Sequence, residues 1–222
     1  MMKRFFVIAL FVLGFGQLYA QPVRDTAWTK AGYFGLKLTQ VSLSSWSAGG
    51  ESALAFDSQI TYSADFKRDR QLWQNRLELG YGLTKNDGKS ARKTNDKIYF
   101  ASTYGYQIYK TLYWSALLNF NTQFAKGYDY NIEDSDFISK FMAPGYLMIG
   151  TGVTWSPNKI FTATFTPASW RGTIVADSRL SDEGAFGVDK GKHLLSEFGA
   201  NLKAEVNYEF LPNMKVYCIL II

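Results

Sequence analysis

The chain has 222 residues, a formal net charge of +5 and a single cysteine, Cys218. Hydrophobic residues make up 47% of it and the mean hydropathy is −0.13, which excludes a helical membrane protein but not a membrane β-barrel, because only one face of each barrel strand meets lipid. One cysteine excludes an internal disulfide and a cysteine-based metal site, and 24 basic against 19 acidic residues are too evenly balanced to predict a nucleic-acid interface.

Residues 1–20 have the pattern of a cleavable secretory signal peptide. Lys3 and Arg4 precede an apolar run that ends at Phe15, and Ala20 supplies the small residue before the cut. The apolar run has about 11 residues, whereas a membrane-spanning helix needs about 20. We therefore expect cleavage after Ala20 and export to the outer membrane of a Gram-negative bacterium, with β-strands as the only membrane-crossing elements.

Beyond Gln21 the sequence alternates with a period of two, which predicts strands with one apolar and one polar face. The alternation predicts nine strands, over residues 32–40, 53–66, 73–83, 97–109, 113–124, 146–155, 159–166, 195–210 and 214–222. Most of them reach the roughly 9–11 residues that a tilted transmembrane strand needs, against about 5–6 for an average soluble strand. Strand length therefore favours an up-and-down antiparallel transmembrane β-barrel.

The connections between these strands alternate in length. Short turns near 67–70, 110–111, 156–158 and 211–213 alternate with long connections at 41–52, 84–96, 126–145 and 170–193. Outer-membrane barrels have short periplasmic turns and long extracellular loops, and they close with an even number of strands. Residues 21–222 are therefore predicted to form one barrel domain of nine visible strands, truncated at the C-terminus relative to an intact barrel of ten.

The predicted barrel assigns two sets of side chains to defined positions. Trp73, Trp114 and Trp155 lie beside short turns on the apolar faces of their strands, which predicts an aromatic girdle at the membrane interface. Polar residues of the opposite faces cannot meet hydrocarbon cheaply, so we expect them to face the lumen and to plug it by pairing. The predicted lumen-facing polar residues are Arg76, Glu78, Asn119, Asn121, Glu197, Lys203 and Glu205.

Candidates for catalysis are few. His193 is the only histidine, and it lies near Ser196, Asp182 and Asp189, as in lipid-modifying outer-membrane enzymes. The sequence shows neither a hydrogen-bonded nucleophile–base pair nor an orienting group, so an exposed loop-end histidine is predicted. No catalytic residue and no cofactor are expected.

Loop segments with possible ligands are also expected to be solvated. Residues 133–136 (EDSD) lack the glycine and the distal glutamate of a calcium loop, so no metal site is expected there. Gly49 and Gly50 predict a sharp turn rather than a phosphate loop. Residues 92–96 (RKTND) could contact head-group phosphates, but a solvated loop end is the expectation.

Several motifs resemble a family of outer-membrane-barrel-like proteins of unknown function from Bacteroidetes-type bacteria, the domain of unknown function 3078. The motifs are SSWSAGG at 44–50, WQNRLELGYG at 73–82, RKTND at 92–96, TQFAKGY at 122–128 and FMAPG at 141–145. The resemblance covers most of the mature chain and implies family membership and an outer-membrane location. It implies no activity and no catalytic residue.

Taken together, the sequence favours a non-enzymatic outer-membrane barrel with a structural or binding role and a plugged polar lumen. A narrow transport pore, a lipid-modifying enzyme centred on His193 and a soluble secreted ligand-binding barrel remain as alternatives. The expected partner is outer-membrane lipid, with an outer-membrane or periplasmic protein as a further candidate.

Overall fold

The computed structural model of the chain describes residues 27–43, 51–132, 136–158, 160–212 and 214–221. The predicted signal peptide (1–20), Gly49, Gly50 and residues 133–135 lie outside them. The strands in chain order are β1 Trp28–Val41, β2 Ala53–Arg68, β3 Gln71–Asn86, β4 Arg92–Tyr109, β5 Leu112–Thr122, β6 Gly127–Tyr128, β7 Phe137–Ser139, β8 Gly145–Trp155, β9 Phe161–Ile174, β10 Leu194–Leu211 and β11 Met214–Ile221.

The main sheet has nine antiparallel strands in the order β1-β2-β3-β4-β5-β8-β9-β10-β11, and β6 pairs with β7 inside the β5–β8 connection. Each long strand pairs with the next one along the chain, which confirms the predicted all-β, up-and-down antiparallel architecture. Each of the nine predicted strands has a counterpart. Among the described residues β1 and β11 are the two edges of the sheet and do not pair, so a closed barrel and a tenth strand stay predictions.

One predicted loop is wrong. Residues 84–96 were expected to form a long connection, but β3 continues to Asn86 and β4 begins at Arg92. The end of β3 and the start of β4 carry polar residues on both faces. Their sequence therefore shows no alternation of apolar and polar residues. Side chains of this hairpin also contact the segment before β2, since Glu51 accepts hydrogen bonds from Asn86 at 2.7 Å and from Lys89 at 2.6 Å.

Strand β9 was expected to end at Thr166, but it continues for eight more residues to Ile174. A bulge interrupts its pairing with β8, where Thr151 faces Ala168 but Val153 faces Phe165. The bulge shifts the strand by one residue, so positions of the other parity point to the apolar face beyond it and the sequence alternation is interrupted. Gly152 makes the bulge possible, because a Cβ at this position would lie 2.0 Å from the carbonyl oxygen of Phe165.

The two faces of the main sheet differ sharply in character. Directly paired residues point to the same face, so the registers define an apolar face that runs through Ile60, Leu79, Leu118 and Ile149, and a polar face behind it. Large side chains of the apolar face are exposed, with Leu38 at 70% and Phe198 at 82%, whereas charged side chains of the polar face range from 15% exposed for Glu78 to 58% for Arg76. A soluble protein has the opposite arrangement.

A small apolar core lies beyond the sheet, at the end that carries the long connections. Ala143, Val175, Leu180 and Val188 are buried together there. Leu180 belongs to a five-residue helix, α1 Ser178–Asp182, which is too short to show a helical period in the sequence. A 3₁₀ turn at Ala185–Gly187 follows. None of the helices in the described part of the chain has the length and apolarity needed to cross a membrane.

Gly152→Ala should lower the free energy of unfolding by about 1–3 kcal/mol or more, since the added methyl group must displace the β9 backbone. Gly199→Ala is the matched control, because a Cβ at Gly199 meets no atom within 4 Å. Urea unfolding followed by tryptophan fluorescence measures both variants. Equal midpoints for the two variants would contradict the proposed role of Gly152.

Candidate functional site

A shielded charge of the polar face is the carboxylate of Glu78 on β3. Arg76 Nε donates to Glu78 Oε1 at 2.5 Å, and Lys97 Nζ of β4 donates to the other carboxylate oxygen. The Arg76 side chain is 58% exposed while that of Glu78 is 15% exposed. One carboxylate thus pairs with two cations from neighbouring strands, in line with the predicted pairing across the polar face.

Further charges on the same face are also paired. Lys203 Nζ lies 2.9 Å from Glu205 Oε1 on β10, and Arg171 Nε of β9 lies 3.8 Å from Glu197 Oε2. The structure therefore brings the five predicted charged residues of the polar face into ion pairs, with Lys97 and Arg171 as partners that the sequence alternation alone did not single out.

Hydroxyl groups form a second network on this face, nearer the short turns. Ser115 Oγ donates to Thr154 Oγ1 at 2.8 Å, and Thr154 Oγ1 lies 3.0 Å from Thr164 Oγ1, which links β5, β8 and β9. Asn119 and Asn121 lie on the same face of β5, where they pair across the ladders with Met148 and Tyr146. All seven predicted lumen residues therefore share one face of the sheet.

Close to the long connections, two side chains meet above a glycine of β3. Asp57 of β2 and Asn95 of β4 are the cross-strand partners of Gly82. Asn95 Nδ2 donates to Asp57 Oδ2 at 3.0 Å, and a Cβ on Gly82 would lie 2.6 Å from that same oxygen. The missing side chain lets β2 and β4 contact each other across β3.

Residues 92–96 do not form the expected solvated loop end. Asp96 accepts hydrogen bonds from the Phe124 amide at 2.7 Å and the Ala125 amide at 3.0 Å, and its carboxylate lies 2.6 Å from Lys93 Nζ. The Asp96 side chain is only 3% exposed. Tyr130 accepts at its hydroxyl from the Lys93 amide at 2.8 Å. The start of β4 therefore anchors the β5–β8 connection.

A second set of contacts joins the β5–β8 connection to the β9–β10 connection. The Arg179 guanidinium lies 4.4 Å from the ring centre of Phe137, and Lys126 Nζ lies 4.7 Å from the same centre. Lys140 Nζ lies 2.5 Å from Asp177 Oδ2, while Asp177 caps α1 by accepting from the Leu180 amide at 3.0 Å. The hydrogen bonds from Lys140 and from Leu180 hold the pKa of Asp177 below its ordinary value.

His193 is exposed immediately before β10, and its Nδ1 lies 2.7 Å from the carbonyl oxygen of Val175. Asp189 pairs with Lys192 at 2.9 Å, which holds the pKa of the Asp189 carboxyl below its ordinary value. In the described structure no hydrogen bond joins His193 to Ser196, Asp182 or Asp189. Within the described ranges no group of three or more His, Cys, Asp or Glu residues is placed to hold a metal ion.

The three predicted girdle residues, Trp73, Trp114 and Trp155, all lie on the apolar face near short turns. Trp28, which the sequence reasoning missed, joins them with its ring centre 5.9 Å from that of Trp73. Trp73 Nε1 donates to Ser102 Oγ at 2.8 Å, and Ser102 Oγ donates to Asn75 Oδ1 at 2.8 Å. These three polar side chains of the apolar face are thus hydrogen-bonded to one another, an arrangement that suits a medium without water.

Glu78→Gln should lower the free energy of unfolding by about 1–3 kcal/mol, because two cations lose a shielded, charge-assisted partner. Glu197→Gln is the matched control; its carboxylate is 51% exposed and lies 3.8 Å from Arg171, so a change below about 1 kcal/mol is expected. The midpoint of urea-induced unfolding measures the loss of stability in each variant. Equal losses would show that Glu78 does not organise the polar face.

The cap on α1 should weaken in acid. The Asp177 pKa is lowered in the folded chain, so the unfolded chain binds the proton more tightly. The stabilising contribution is therefore complete above the unfolded pKa of about 3.9 and is lost as the pH falls through the lower folded value. We expect the hydrogen-exchange protection factor of the Leu180 amide to fall over this range. Asp177→Asn keeps a capping oxygen without the charge and should abolish the pH dependence; an unchanged dependence in this variant would refute the assignment.

Comparison with known proteins identifies one family. Residues 38–128 match the model of a family described as protein of unknown function (DUF3078), a segment that runs from β1 to β6 and includes Gly82, Asn95 and Asp96. No curated protein and no solved structure matches the chain. The bacterial group and the barrel-like nature of the family stay predictions. Residues 38–128 are therefore similar to DUF3078, which confirms the resemblance that the motifs within this segment indicated.

Proposed function

We propose that this chain is a non-enzymatic outer-membrane β-barrel of a Gram-negative bacterium, with a structural or binding role and a lumen plugged by its own side chains. The observation that carries the proposal is an inversion of the usual burial, because large apolar side chains of one face are exposed while the Glu78 carboxylate on the polar face is shielded. This inversion is the arrangement expected of strands between lipid and a polar interior.

The free energy gained by transferring the exposed apolar side chains from water to lipid supports membrane insertion. Phe34 is 67%, Leu36 63% and Leu38 70% exposed on β1, and Phe165 is 50% and Phe198 82% exposed on β9 and β10. Removing a side chain of this size from water stabilises a protein by about 1.5–3 kcal/mol. Soluble monomers rarely leave such an extended apolar surface in water, and lipid hydrocarbon would cover it.

The polar face supports a plug rather than an open pore. Its ion pairs join Arg76 and Lys97 to Glu78, Arg171 to Glu197 and Lys203 to Glu205. Charges that are paired with one another leave few groups free to bind a permeating ion. In a small barrel such side chains also fill the interior. The packed connections at one end, held by Asp96 and Phe137, supply a defined surface for a binding role.

Electrophoretic mobility of the protein, recovered from the outer-membrane fraction and loaded with or without boiling, tests the proposal. A folded barrel resists detergent, so we expect the unboiled sample to run faster than the boiled one. A soluble protein with a single mobility would contradict the membrane assignment. In planar bilayers the folded form should show no steady conductance; a stable ohmic conductance would favour the transport-pore alternative over the plugged lumen.

A further inference from the structure

Among the described residues, four cations at two of the short turns form no ion pair with a carboxylate. Lys67, Arg68 and Arg70 lie at the β2–β3 turn and Lys110 at the β4–β5 turn, all exposed, and Asp69 is the one acidic residue in these turns. The nine ion pairs formed by the described residues lie on the polar face or at the opposite end, and none includes a residue of these two turns.

Hydrogen bonds hold the two turns side by side. Arg70 Nε donates to the Gln107 carbonyl oxygen at 2.8 Å, and the Gln107 amide donates to the Arg70 carbonyl oxygen at 2.7 Å. The Arg70 guanidinium also lies 5.0 Å from the ring centre of Tyr106, and Lys110 Nζ lies 5.4 Å from that of Tyr109. Two cations are thereby fixed against aromatic rings while donors remain for a ligand.

These cations adjoin the tryptophans of the apolar face. Trp73 follows the β2–β3 turn and Trp114 follows the β4–β5 turn, and Tyr106 is the cross-strand partner of Trp114. Indole rings on a lipid-facing surface lie at the level of the head groups. Arg70 and Lys110 would then lie at the level of the lipid phosphates.

We propose that the short-turn end is a binding surface for anionic phospholipid head groups, formed by Lys67, Arg68, Arg70 and Lys110. The proposal rests on the membrane insertion proposed above and names the lipid class that this end prefers. A lipid surface fits better than a protein partner, because the cations continue directly from the exposed apolar face and would be reached by the same bilayer that covers it.

The test uses the full chain folded into vesicles of phosphatidylcholine alone or with phosphatidylglycerol, with folding verified by the mobility shift. Tryptophan quenching by brominated phosphatidylglycerol is compared with quenching by brominated phosphatidylcholine. We expect a preference for the anionic lipid of about threefold or more at low salt, which falls towards unity at high salt because the charges are screened. The variant with Lys67→Gln, Arg68→Gln, Arg70→Gln and Lys110→Gln should show no preference.

The control carries four lysine-to-glutamine changes at the opposite end, at Lys85, Lys89, Lys190 and Lys192, so that its net charge equals that of the test variant. The control should keep the wild-type preference for anionic lipid. If it lost the preference as fully as the test variant, net charge alone would explain the effect and the proposal would be overturned. Folding without any lipid preference would overturn the lipid site alone. Failure to fold into either vesicle would instead refute the membrane insertion on which it rests.

Discussion

The antiparallel register from β1 to β11 is the constraint on which the other features depend, because directly paired residues share a face of the sheet. A shift of one residue would place Glu78 among the apolar side chains and Leu79 among the ion pairs. The bulge in β9 preserves this separation, since Phe165 and Trp170 have opposite sequence parity and still lie on the apolar face. The register thus keeps charged side chains together on one side and leaves apolar ones exposed on the other.

Glycines permit the close contacts that this register demands. Gly152 leaves room for the β9 backbone at the bulge, and Gly82 lets Asp57 reach Asn95 across a whole strand. The connections at the long-loop end depend in turn on the strands, because Asp96 at the start of β4 holds the chain that leaves β5. The sheet thus carries connections packed around a small apolar core at one end and the exposed cations of two short turns at the other.

Much of this fold could be predicted from the sequence, because period-two alternation is strong wherever a strand has one apolar and one polar face. The prediction failed where that condition fails. Residues 84–86 and 92–96 are polar on both faces, and the bulge before Ala168 reverses the parity of β9. Helix α1 is only five residues long, although Asp177 as its N-cap is a signal that could have indicated it. The polar residues could be assigned to one face, but partners such as Lys97 and Arg171 could be identified only from the cross-strand register.

Spin-label accessibility along β3 tests the central claim, that the apolar face meets lipid and the polar face does not. A nitroxide would be placed at each position from 74 to 83, in the Cys218→Ser background, in chain folded into lipid vesicles. Oxygen concentrates in hydrocarbon, so accessibility to it should alternate with a period of two and peak at Asn75, Leu77, Leu79 and Tyr81. Accessibility without a period, or with peaks at Arg76, Glu78 and Gly80, would contradict the account.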